Sequence, residues 1–225
     1  MATAETNRGG FERCLADLEA EVVRMGLVAA EAVAAGREAL LAGDHDAARA
    51  VLEADAGLDK AAWTSESRAY ELLARQQPAG RDLRRILTVI RVSHEIERCG
   101  NLVRHVAEVT LRHQVLRLTP ALRGLLGQMA DEAQRLLQGA TDGYVARDVA
   151  GAAALDVWDD RMDDLHRRLL SELFTARLGV EVTLELALVG RYLERIADHA
   201  VVVGGRVRYL VTGELPAPVP KAVEP

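Results

Sequence analysis

Proline is absent from the first 77 residues of this 225-residue chain, appears once at Pro78 and once at Pro120, and returns only at Pro216. Proline lacks an N–H and its ring clashes with the preceding turn, so the long stretches without it can run as unbroken helix. Alanine, leucine, arginine and glutamate dominate those stretches. β-Branched residues are a minority, and no Asn-Gly or Asp-Gly hairpin signal sits between alternating strands, so the chain reads as all-α.

Six helices follow from the breaks. The first covers about residues 7–42, where Phe11, Leu15, Leu18, Val22, Met25, Ala29 and Ala32 step by four and three, the spacing of one buried seam. Gly43 stops it, and Asp44 caps a second helix that reaches about residue 76. Pro78-Ala79-Gly80 turns the chain into a third, about 81–118. Thr119 and Pro120 are N-cap and N1 of the fourth, Asp148 caps the fifth, Gly179 ends it, and the sixth spans about 180–212.

The plan repeats. An offset of 104 carries Asp44 onto Asp148, Ala48 onto Ala152, Asp55 onto Asp159 and Asp59 onto Asp163. An offset of 97 carries Val92 onto Val189, Glu97-Arg98 onto Glu194-Arg195 and Asn101 onto Asp198. The two offsets differ by two helical turns, as a shortened second hairpin requires. We therefore expect two tandem antiparallel three-helix bundles born of an internal duplication, over residues 1–118 and 119–213, with a flexible tail at 214–225.

Composition narrows the function classes. With 49% hydrophobic residues the chain can bury a core without staples. Thirty-four acidic against 28 basic residues give a net charge of −6, which argues against gripping nucleic acid or an anionic membrane surface. Cys14 and Cys99 have no metal or redox spacing and read as small apolar fillers in a reducing compartment. Residues 1–10 lack the features of a secretory signal and no segment has 18 uninterrupted apolar residues, so a cytoplasmic location is expected.

The third and sixth helices each carry two seams. Val89, Val92, Ile96, Cys99, Val103 and Val106 form the core seam of the third, matched by Leu186, Val189, Leu193, Ile196, Ala200 and Val203 in the sixth. A second seam, turned away from that core, sets Glu97/Asn101 and Glu194/Asp198 at i, i+4, and the second and fifth helices set Asp55/Asp59 and Asp159/Asp163 at the same spacing. Like charges so placed cost about 0.2–0.5 kcal/mol per pair, which a solvated face tolerates and a bound cation would reverse. Antiparallel neighbours in each hairpin can gather three or four carboxylates, the donor set of a hard or borderline cation. Such a site would be shallow, with no carboxylate pKa displaced for acid–base work, so the acids read as ligands and not as catalysts.

Other residues carry weaker signals. Asp163 and His166 at i, i+3 faintly resemble a di-iron ligand pair, but the first half has Ala62 at the matching place. His199, beside Asp198, is either a ligand or solvent-facing, and Trp63 and Trp158 read as packing residues. The many arginines read as structural ion-pair partners, since no glycine-rich phosphate loop precedes a helix.

The stretch Arg75-Gln76-Gln77-Pro78-Ala79-Gly80-Arg81-Asp82-Leu83-Arg84, then Glu97-Arg98-Cys99-Gly100-Asn101, and in the second half Tyr192-Leu193-Glu194-Arg195-Ile196-Ala197-Asp198-His199-Ala200, resembles the PhoU family of phosphate-transport accessory proteins. With Glu53-Ala54-Asp55 through Asp59 the resemblance spans nearly the whole chain. It implies two three-helix bundles whose E/D-x-x-x-D acids bind metal: Asp55, Asp59, Glu97 and Asn101 in the first, Asp159, Asp163, Glu194 and Asp198 in the second. Iron, zinc, manganese and magnesium are all open.

The resemblance further implies a non-enzymatic negative regulator that restrains the phosphate-starvation response. Such a regulator links a phosphate ABC transporter ATPase to a membrane sensor histidine kinase and meets the membrane only through these partners; a homodimer is also expected. Asn101 departs from the family's aspartate, and both halves lack a common asparagine, at His105 and Val202. We therefore expect the second cluster to bind metal more tightly. The competing class is a metal-dependent hydrolase or oxidase using the same carboxylates, and a third is a purely structural scaffold.

Overall fold

A computed structural model describes residues 2–113 and 118–215, with side chains from residue 8. Six helices, α1 (Ala2–Ala42), α2 (His45–Gln76), α3 (Gly80–Arg112), α4 (Pro120–Ala146), α5 (Val149–Thr175) and α6 (Val180–Thr212), account for the regular structure, and no strand occurs among the described residues. None of these helices is long and apolar enough to cross a membrane. Residues 216–225, most of the expected tail, lie outside the described residues, as do 114–117.

The caps are the ones the sequence announces. Asp44 Oδ1 accepts from the backbone N–H of Asp46 at 2.9 Å and Ala47 at 3.0 Å, and Asp148 Oδ1, its duplicate, accepts from Ala150 at 3.0 Å. Thr119 Oγ1 accepts from the Leu122 N–H at 3.2 Å with Pro120 in the first turn. Each such cap contributes about 1 kcal/mol. The chain leaves α1 through Gly43 at φ +71° and leaves α4 through its duplicate position, Arg147, also left-handed at φ +55°.

Three boundaries differ from the sequence reading. α1 begins at Ala2 instead of near residue 7. α3 ends at Arg112 instead of near 118: His113 turns to extended angles, its ring pairs with Glu185 of α6, and its carbonyl accepts from His45 Nε2 at 3.2 Å. α5 ends at Thr175, because the reversal into α6 consumes residues 176–179, and Gly179 serves as N-cap of α6 instead of closing α5.

All the apolar seams read from the sequence are buried, and they merge into one core. α2 packs on α1 and α3, and α5 packs on α4 and α6. The repeats meet through α1 against α4 and α3 against α6, so α2 and α5 lie on opposite flanks. Glycine permits the tightest approach in the first hairpin: a Cβ at Gly100 would fall 2.7 Å from Leu58 Cδ1 and 3.1 Å from Asp55 Oδ1. Helices brought this close put the acids of α2 beside those of α3.

Candidate metal centres

Each hairpin places its acids at the seam between an outer and an inner helix. In the second repeat, Asp159 and Asp163 of α5 face Glu194 and Asp198 of α6 closely enough for all four carboxylates to repel one another. Burial, followed by the Asp198 charge, pushes Glu194 up to about 7. Burial, Asp198 and Asp163 push Asp159 up to about 6. Asp198 is also raised, burial being the main cause. These displacements correct the expectation of shallow acids with ordinary pKa values: Glu194 is only 8% exposed.

The first repeat gathers the same residues but compensates them differently. Asp55, 5% exposed, receives Arg104 Nε on Oδ2 at 3.0 Å, and burial with the Asp59 charge still raises its pKa. Asn101 Nδ2 donates to Glu97 Oε1, and His94 Nδ1 lies 3.5 Å from Glu97 Oε2. Burial raises the Glu97 pKa, with Asp59 within hydrogen-bond reach adding to it. In the second repeat the corresponding cover is a single half-exposed arginine, Arg191, whose Nη1 donates to Glu194.

Among the described residues no three His, Cys, Asp or Glu side chains already converge on one metal position. The donor chemistry nonetheless fits a cation best in the second repeat. Asp159 Oδ1 and Glu194 Oε2 are both buried without a hydrogen-bond partner, the condition that costs most in a low-dielectric site. In the first repeat Asp55 Oδ1 is the orphaned carboxylate oxygen, and Arg104 already holds its other oxygen. Four carboxylates with two orphaned oxygens suit a hard or borderline divalent ion.

The neighbouring residues sort out differently from the sequence reading in several places. His199 neither ligates nor faces water: its Nδ1 pairs with Glu95 Oε2 of α3 at 2.7 Å, across the contact between repeats. His166 packs against Gly190, where burial and Arg191 depress its pKa. Trp63 is not a packing residue; it is 71% exposed. Trp158 lies under Arg135, whose guanidinium carbon is 4.2 Å from the ring centroid. Cys99 is buried as expected, but Cys14 is exposed. The arginines do form structural pairs: Arg85 makes 3.0 Å bonds to both Glu19 oxygens, and Arg147 reaches Glu19 at 2.6 Å. Arg104 and Arg191 stand on the acid seams themselves, each three residues from Asn101 or Glu194, and they pair there as structural arginines, Arg104 with Asp55 and Arg191 with Glu194.

Comparison with known proteins agrees with the duplicated plan. The PhoU domain model matches twice, over residues 22–110 and 126–207. The phosphate-specific transport system accessory protein PhoU homolog 1 of Mycobacterium tuberculosis is 38% identical over 209 residues, covering 92% of this chain and 95% of that protein. The homolog from Caulobacter vibrioides is 31% identical over 206 residues, covering 89% of each. The crystal structure of PhoU from Pseudomonas aeruginosa superposes with a TM-score of 0.85 at 26% identity, covering 91% of this chain and all 100% of that one.

Proposed function

Because the chain belongs to the PhoU family, we propose that it is a non-catalytic regulator of phosphate uptake and of the phosphate-starvation response, a cytoplasmic metal-binding adaptor. It links a phosphate ABC transporter ATPase to a sensor histidine kinase and works as a homodimer. The names of its relatives as phosphate-specific transport accessory proteins support the transport role. The metal role is carried by one observation: the pair of orphaned buried oxygens, Asp159 Oδ1 and Glu194 Oε2, in a cluster of four carboxylates.

A bound divalent ion supplies the positive charge that this cluster lacks. Asp159, Asp163, Glu194 and Asp198 would hold it, and Glu194 and Asp159, with pKa values pushed up to about 7 and about 6, would release protons as it binds. The acids then act as ligands that fix α5 against α6, leaving the bundle surface to partners. The first cluster, with Asn101 in place of an acid and Asp55 held by Arg104, binds an ion more weakly.

Calorimetric titration of manganese and zinc into Glu194→Ala and Glu97→Ala variants tests the metal role. Greater loss from Glu194→Ala is expected, and equal or greater loss from Glu97→Ala overturns the asymmetry. Copurification from cells grown with and without phosphate tests the adaptor role; absence of both transporter ATPase and kinase in both conditions counts against it. Metal-loaded protein assayed against phosphoesters and oxygen tests the enzyme alternative, which robust turnover abolished by Glu194→Ala would establish.

A further inference from the structure

The first acid cluster opens on a cleft of about 320 Å³ between α2 and α3, lined in part by Asp59, Trp63, Glu66, Ser93, His94 and Glu97. Two of its features have no place in a metal site, and a third suits a cation of any kind. Trp63 stands 71% exposed at its wall, an indole face left in water. Ser93 is 1% exposed, and its Oγ has no hydrogen-bond partner. Neither arginine nor lysine is among the lining residues, although the chain carries 28 of the two together.

The duplicate positions show what the second repeat does in the same place. The offset of 104 carries Trp63 onto Arg167 and Glu66 onto Leu170, and the offset of 97 carries Ser93 onto Gly190 and His94 onto Arg191. In the second repeat Arg191 donates to Glu194, so the chain supplies its own guanidinium to the acid seam. In the first repeat His94 replaces that arginine, and an aromatic face, a further carboxylate and a buried hydroxyl surround the place it vacates. Glu66 Oε1 accepts from Tyr70 Oη at 2.6 Å, which steadies that carboxylate beside the cleft.

We propose that this cleft binds a guanidinium group from outside the chain, stacked on Trp63 and hydrogen-bonded to the carboxylates of Asp59, Glu66 and Glu97. A guanidinium is flat, weakly hydrated and carries its N–H donors in a fork, so it gains from an aromatic face and from several acceptors at once. Ser93 Oγ offers one more acceptor. A hydrated metal ion gains nothing from Trp63. The group can belong to a free small molecule or to an arginine presented by a partner protein.

Both sources are tested on the full chain with chelator present, so the result is independent of metal binding in the second repeat. In a Trp158→Phe background Trp63 is the sole tryptophan, and its emission is followed against L-arginine amide, the capped peptide Gly-Arg-Gly and its Gly-Lys-Gly counterpart. Saturable binding in the millimolar range is expected, with the lysine peptide about three- to tenfold weaker. Glu66→Gln should weaken the arginine probes by about threefold or more, and Glu214→Gln, an exposed carboxylate beyond α6, should leave them unchanged. Tighter binding of the amide assigns a free small molecule, and binding of the peptide as tightly or more so assigns a partner's side chain. No saturable change from either arginine probe up to about 50 mM, equal binding of the lysine peptide, or indifference to Glu66→Gln overturns the proposal.

Discussion

Cys99 and Ile196 are duplicates of one another, 97 positions apart, and they meet: Cys99 Sγ lies 3.9 Å from the Ile196 carbonyl oxygen where α3 crosses α6. The contact marks a local two-fold relation between the repeats, and both residues are fully buried there. Burial pushes the Cys99 thiol far above the usual range, so it is inert while the fold is intact. A thiol-labelling reagent should modify Cys14 in the native protein and Cys99 only after urea is added. Cys99→Phe should cost about 1–3 kcal/mol in urea denaturation, because the crossing has no room for a ring.

Glu194 gives the fold a pH dependence of unusual sign. Its folded pKa of about 7 lies above the ordinary 4.5, so the folded state holds the proton more tightly than the unfolded state does. Its contribution is fully present below about pH 4.5 and is lost as pH rises through about 7. Metal-free protein should lose up to about 3 kcal/mol of unfolding free energy between those values, and Glu194→Gln should flatten that slope. Urea curves at both ends of the window check it.

Glu19 behaves oppositely. Burial would raise its pKa, but Arg85 and Arg147 more than offset that and hold it below the usual carboxylate range. Its stabilisation is present above the ordinary 4.5 and fades as pH falls through the lower folded value. Arg85→Ala should destabilise the protein by about 2 kcal/mol at pH 7 and by less in acid, as read by thermal or urea unfolding.

Arg147 occupies the left-handed position that Gly43 fills in the first repeat, and its guanidinium bonds Glu19 at 2.6 Å. Arg147→Gly and Arg147→Ala both remove that ion pair, but only glycine relieves the backbone. The glycine variant should therefore be about 1 kcal/mol more stable than the alanine variant. Equal stability of the two would show that φ +55° costs nothing here.

Asn101→Asp adds the missing acid to the first cluster. Its side chain would no longer donate to Glu97, so the Glu97 pKa should rise further and metal affinity at that cluster should increase. Calorimetry with manganese on a Glu194→Ala background isolates the effect, and no gain in heat of binding would contradict it.

The helices were legible because their signals are local. Phe11 through Ala32 bury one seam whatever lies opposite, and Asp44, Thr119 and Asp148 bond the turn that follows them. What depends on the register of one helix against another was not legible. Arg104 reaches Asp55 across the α2–α3 contact where Gly100 leaves no room for a Cβ, and Trp63 stands exposed at the wall of a cleft. The eight acid-seam positions were legible as a pattern; the burial of Asp55 and Glu194, and the displaced pKa values of Glu194 and Asp159, came from packing that spacing does not encode.

A dimer of identical subunits must change both halves with every mutation. Here the two-fold relation at Cys99 and Ile196 joins halves encoded separately, so Asn101 and Asp198, or Trp63 and Arg167, diverge one codon at a time. α2 and α5 lie on opposite flanks, so under the proposed metal role the cluster on one side would fill independently of the other. Two such sites would give the chain four occupancy states instead of an on and an off, enough to weigh two signals in a single molecule.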